Sequence, residues 1–131
     1  MTHFKQYLLI LIIGVLLMNC AGSVAWNSRR ISSTEKEAKM NNTKILSLNI
    51  GDSKQRVLEI MGRPLKREAY QVAEKKVIEF FLYRTSGWSA TDWGDKDYQF
   101  TPFAFENDGL IGWGRNFYDN IIRHAVDITM K

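Results

Sequence analysis

The stretch Val-Ile-Glu-Phe-Phe-Leu-Tyr-Arg at 77–84 constrains what this chain can fold into more than any other. It is rich in β-branched and aromatic residues and ends at the polar Thr85-Ser86-Gly87, which is the composition of a strand running into a loop. Strand alternation places Ile78, Phe80 and Leu82 on one side and Val77, Glu79, Phe81 and Tyr83 on the other. The first set is wholly apolar and is expected to lie beneath the helices that precede it. The second mixes a carboxylate with two aromatic rings, which suits a half-solvated face of an antiparallel sheet. Phe81 and Tyr83 are therefore the first candidates for a docking surface.

The N-terminal segment bears on location. Lys5 precedes the apolar run Leu8–Met18, which is shorter than the roughly 20 residues a membrane-spanning helix needs but matches the apolar region of a secretory signal. Leu17-Met18-Asn19-Cys20 follows and looks like a bacterial lipobox, in which the chain is cut before the cysteine and the sulfur is acylated. Ser23-Val24-Ala25 offers an ordinary signal-peptidase cut as an alternative, and an uncut anchor over 7–26 is a third. The lone cysteine stands at the end of the apolar run and favours the first. All three place the domain outside the cytoplasm, and with Cys20 as the sole cysteine no intramolecular disulfide can form. The net charge of +4 is then a mildly basic surface or a headgroup contact at Arg29-Arg30, and nucleic acid is not an expected partner.

The chain divides into a signal peptide (1–19), a flexible tether (20–41) and one small domain (42–131). Trp26–Met40 is dominated by Ser, Thr, Glu and Lys, and reads as the tether. Asn42 or Thr43 is expected to cap a short helix ending at Gly51. Asp52 is expected to cap a second, with Gln55 as its capping-box partner; Val57, Leu58 and Met61 form its buried stripe, and Gly62 and Pro64 end it. Strands follow at Arg67–Val72, Val77–Arg84, Tyr98–Phe105 and Leu110–Trp113, with the turn Asn107-Asp108-Gly109 joining the last two. Pro102 predicts a bulge or an unpaired edge. Tyr118, Ile121, Ile122, Ala125, Val126 and Thr129 recur at helical spacing behind Asn116, a candidate cap. The fold class is α+β: two short helices on a three- to four-stranded antiparallel sheet, plus a C-terminal helix.

Two segments carry a family likeness. Ile50-Gly51-Asp52-Ser53-Lys54-Gln55-Arg56-Val57, running to Met61-Gly62-Arg63-Pro64, resembles the helix-and-turn signature of the BamE (SmpA/OmlA) envelope lipoproteins. Phe80-Phe81-Leu82-Tyr83-Arg84 and Phe103-Ala104-Phe105-Glu106-Asn107-Asp108-Gly109-Leu110 are similar to its strands and hairpin. The likeness covers roughly residues 43–113 and extends to proteobacterial lipoproteins carrying Tyr-Arg-Thr (83–85), Thr-Pro-Phe (101–103) and Gly-Trp-Gly (112–114). It implies two helices on a three-stranded sheet and an accessory role in outer-membrane barrel assembly. It also implies contacts at Phe80 and Arg84 with partner protein and lipid headgroups. Ala21 after the cysteine lacks the aspartate of inner-membrane retention, so the resemblance implies an outer-membrane lipoprotein facing the periplasm, with a soluble periplasmic protein as the alternative.

Chemistry-bearing constellations are few. Asp92, Asp95 and Asp97 match no calcium-loop spacing and read as a solvated loop. His3 and His124 are the only histidines, and the scattered serines show no base beside them, so neither a metal site, a cofactor nor an enzyme is expected. Trp88, Trp93, Tyr98 and Trp113 are candidates for a stacking platform. The sequence thus predicts a non-catalytic binding module that meets envelope proteins, outer-membrane assembly subunits among them. Cys20 is its lipid-attachment site, and Phe80, Phe81, Tyr83, Arg84, Trp88 and Trp93 are its contact residues. A periplasmic inhibitor or glycan-binding module is the rival reading, and a small hydrolase using loop carboxylates the third.

Overall fold

The computed structural model describes residues 25–73 and 76–129. Helix α1 covers 25–45 among them, α2 is Lys54–Met61, and α3 is Arg115–Thr129. Between α2 and α3 run β1 (Lys66–Ala73), β2 (Lys76–Arg84), β3 (Phe100–Glu106) and β4 (Gly109–Trp113), with a short 3-10 turn at Asp97–Gln99. The four strands form one antiparallel meander in the order β1-β2-β3-β4, and helices cover both faces. The expected α+β class is borne out. Cys20 and the leader lie outside the described residues, and no helix among those described is long and apolar enough to cross a membrane.

The two faces of β2 are covered the other way round from the sequence expectation. Ile78, Phe80 and Leu82 lie with Phe100 and Ala104 beneath α3, against Phe117, Tyr118, Ile121 and Ile122. Tyr118 locks that layer: its hydroxyl donates to Glu68 at 2.7 Å and meets the Tyr70 hydroxyl at 3.1 Å. The opposite face is the one that upstream elements cover. Phe81, Tyr83, Phe103, Phe105 and Leu110 pack against Val57 and Met61 of α2 and against Leu48. Phe81 and Tyr83, expected as an exposed docking face, are 1% and 2% accessible, and Phe80 is fully buried. The carboxylate that suggested a wet face is neutralised: Glu79 accepts from Lys54 at 2.7 Å and from Arg67 at 2.6 Å. Burial opposes ionisation of Glu79, yet the Lys54 bond first, then Arg67, hold it below the usual glutamate range.

Local signals explain most element boundaries. Ser53, not Asp52, is the N-cap of α2, accepting from the Arg56 amide at 3.2 Å; Asp52 instead accepts from the Asn49 amide at 2.8 Å. Gly62 ends the helix at φ +82°. Asn107 and Asp108 both take positive φ, as a two-residue hairpin turn requires. Pro102 sits in an interior strand without loss. Its carbonyl accepts from Gly114, but its missing N–H would face the point where β4 has already ended. The bulge lies further along, where Ile111 is the extra residue between Gly112 opposite Ala104 and Leu110 opposite Phe105. Asn116 is inside α3, which starts directly after Gly114.

The largest correction concerns 26–40. These residues are helix α1, not an irregular tether, and Asn42 and Thr43 lie in its last turn rather than capping a new helix. Its inward stripe is Thr34, Glu37, Ala38, Asn41 and Ile45, mostly polar, so no apolar period announces it. Ala38 and Asn41 are nonetheless buried. What holds α1 is a polar junction with the end of β2.

Candidate functional site

That junction is organised by Arg84, the last residue of β2. Both sheet faces are closed at this point, so its side chain is 5% accessible and must find partners inside. Nε donates to Glu37 of α1 at 3.2 Å, Nη1 to Gln99 at 3.0 Å and Nη2 to Asp95 at 2.6 Å, while the guanidinium lies 4.9 Å from the Phe100 ring centre. The Arg84 carbonyl accepts from Asn41 at 2.8 Å, and the Thr85 carbonyl from Asn42 at 2.9 Å. Arg84 therefore pairs with Asp95, a loop carboxylate expected from the sequence to be solvated. It is a structural hub and not an exposed anion receptor.

The remaining loop carboxylates are also occupied. Asp92 accepts from the Ser89 amide at 2.7 Å, from the Tyr98 hydroxyl at 2.7 Å and from Gln99 at 2.8 Å. The Ser89 amide and the Tyr98 hydroxyl hold its carboxyl below the ordinary range. Partial burial pushes the Asp95 carboxyl up, but hydrogen bonds from Arg84 and from the Trp88 indole at 2.9 Å outweigh it, so it too lies low. Among the described residues no cluster of His, Cys, Asp and Glu is arranged to hold a metal ion.

These bonds position an open cleft of about 920 Å³ between the start of α1 and the loop 88–95. Trp26, Arg30 and Ile31 line one wall, and Trp88, Trp93 and Asp95 the other. The Arg30 guanidinium lies over two indole rings, 4.8 Å from the Trp26 centroid and 4.4 Å from that of Trp88. The Trp88 amide donates to Thr34 at 2.9 Å, one further turn along α1. Trp93 is 92% accessible and Trp26 61%. Among the described candidates, Trp93 at this rim and Tyr98, whose hydroxyl is bonded to Asp92, stay accessible. Of the sequence candidates, Trp88 and Trp93 meet here and Arg84 supports them through Asp95. Phe80, Phe81 and Tyr83 are core, and Trp113 stacks on Phe103. Trp26 and Arg30 were missed, although their four-residue spacing continues to Thr34 and Ala38 and is a helical signal in retrospect.

Two expectations test this arrangement. A Cβ at Gly87 would stand 2.9 Å from the Glu35 Cα of α1, a backbone contact that cannot rotate away. Gly87→Ala is expected to push the loop off α1 at a cost of about 1–3 kcal/mol, read as a lower unfolding midpoint together with altered tryptophan emission. Glu79, Asp92 and Asp95 all have depressed folded pKa values, so their contribution is present above the unfolded carboxylate range and is lost as pH falls through the folded values. The thermal midpoint is accordingly expected to drop once pH goes below the ordinary carboxylate range, and Asp95→Asn to flatten that drop.

Residues 19–120 match the family described as "Protein of unknown function (DUF3192)". No curated protein and no solved structure matches the chain.

Proposed function

The chain belongs to the DUF3192 family, and from that premise we propose that it is a non-catalytic lipoprotein of the bacterial cell envelope, acylated at Cys20 and working by surface contact. The observation that carries this reading is the exposed tryptophan cleft beside the first turns of α1, the helix that follows the leader in sequence. The leader supplies the anchor: an apolar run ending in Leu17-Met18-Asn19-Cys20. The loop carboxylates support a binding role over a hydrolytic one. Asp92 and Asp95 are both occupied by hydrogen bonds that build the loop, Asp92 from Ser89, Tyr98 and Gln99 and Asp95 from Arg84 and Trp88.

As an accessory module, the protein holds a folded domain at the periplasmic face of the outer membrane, where envelope proteins such as barrel-assembly subunits are its partners. The likeness to BamE-type lipoproteins supports that assignment through the hairpin and the α2 signature. The mass of the mature N-terminal peptide tests the anchor. A diacylglyceryl cysteine at position 20 is expected, and a free Trp26 terminus would overturn it. Cross-linking of the native protein in cells tests the partnership. Barrel-assembly subunits are the expected capture, and recovery of only a lytic enzyme or cell-wall fragments replaces the accessory role with inhibition or glycan binding.

A further inference from the structure

We infer that the tryptophan cleft is seated against the lipid bilayer, with Trp26 and Trp93 in the headgroup layer; this rests on the lipoprotein reading and assigns the cleft its partner. The argument begins with length. Were residues 20–41 a loose spacer, the domain could stand off the membrane by as much as about 75 Å, at the extended reach of a peptide chain. Helix α1 removes that freedom, because 25–45 is folded and fastened to the end of β2 by Glu37 and Asn41 and to the following loop by Thr34. Only the link from Cys20 to Ala25 remains between an acylated sulfur and the folded domain, and it spans at most about 18 Å. If the leader stays uncut, Met18 to Ala25 spans at most about 25 Å. Either way the first turn of α1 is held within reach of the headgroups.

The chemistry of that end of the molecule agrees with its position. Trp26, Arg29 and Arg30 are all exposed on the first turns of α1, and the adjoining loop contributes Trp93. Indoles favour the membrane–water boundary, where the ring meets acyl carbon and the N–H meets water or ester oxygen. Arg30 lies over the Trp26 and Trp88 rings, 4.8 and 4.4 Å from their centroids, so the cleft edge carries a guanidinium, the group that pairs with phosphodiester oxygens. The negatively charged members of the cleft do not oppose this, since Asp95 is paired with Arg84 and Asp92 is turned to Tyr98 and Gln99. The cleft edge is thus a basic and aromatic surface placed where only a short link separates it from lipid.

The full acylated chain reconstituted in phosphatidylcholine vesicles provides the test. Bromine placed near the glycerol end of the acyl chains is expected to quench tryptophan emission more strongly than bromine near the chain ends. Trp93→Phe and Trp26→Phe together are expected to remove roughly half or more of that quenching, as removal of interfacial indoles should. Co-flotation with the vesicles and equal quenching in the wild type and the double variant would overturn the seat while leaving the anchor in place. Failure to co-float removes the lipoprotein reading and this inference with it. In cells, a photoreactive residue at position 93 is expected to label lipid; labelling of a protein instead gives the cleft to a protein partner and overturns the inference.

Discussion

Arg84→Ala is expected to lower the stability of the domain by about 3 kcal/mol, or roughly 10 °C in unfolding midpoint. The guanidinium is buried and satisfies Glu37, Gln99 and Asp95 together, so its removal strips three acceptors at once and leaves a void beside Phe100. The figure sits at the lower end of the range for broken buried pairs because Glu37 and Asp95 are partly solvated. Arg84→Lys should recover little, since an ammonium cannot reach three acceptors arranged around a planar fork. Hydrogen exchange distinguishes this from general weakening: amides of α1 and of 85–99 should lose protection before those of β2 and β3. A cost under about 1 kcal/mol, within the range of an exposed pair, would show that Arg84 is a surface residue after all.

Phe81→Ala is expected to cost about 4 kcal/mol, as large-to-small changes at fully enclosed aromatic positions do. Its ring lies 4.7 Å from that of Phe105, in the cluster packed against α2, and the Arg67 guanidinium lies over its face, 4.8 Å from the centroid. A docking residue would behave in the opposite way, with folding intact and partner capture lost. Urea denaturation separates the two. A midpoint unchanged from the wild type would return Phe81 to the surface, whereas a large shift confirms it as core. Trp93→Ala is the converse control, because an indole 92% accessible contributes little to folding.

What could be read from the residues was local. The β2 run, the Gly62–Pro64 stop, the Asn107-Asp108 turn and the apolar period of α3 each declare themselves within a few positions, and each appears in the structure. Two things were not legible, for definite reasons. Glu79 suggested a wet face because alternation treats a carboxylate as solvent-seeking, but Lys54 and Arg67 come from other elements to neutralise it. Helix α1 escaped because its buried stripe is polar: Thr34, Glu37 and Asn41 face a network centred on Arg84, and hydrophobic periodicity is blind to such a stripe. The cleft followed the same fate. Trp88 and Trp93 stood out as unusual loop residues, but the wall they face is α1, so Trp26 and Arg30 entered only with the fold.

The contacts that fasten α1 join positions 43 to 54 residues apart. A chain delivered vectorially, N-terminus leading, therefore exposes its first helix long before the strand end that receives it exists. Until Arg84 has followed, Glu37 and Asn41 can only be hydrated, and Arg84 in turn waits for Asp95 and Gln99. Closure of this junction therefore waits for residues more than 40 positions further along the chain. Until then this part of α1 has only its own hydrogen bonds to hold it.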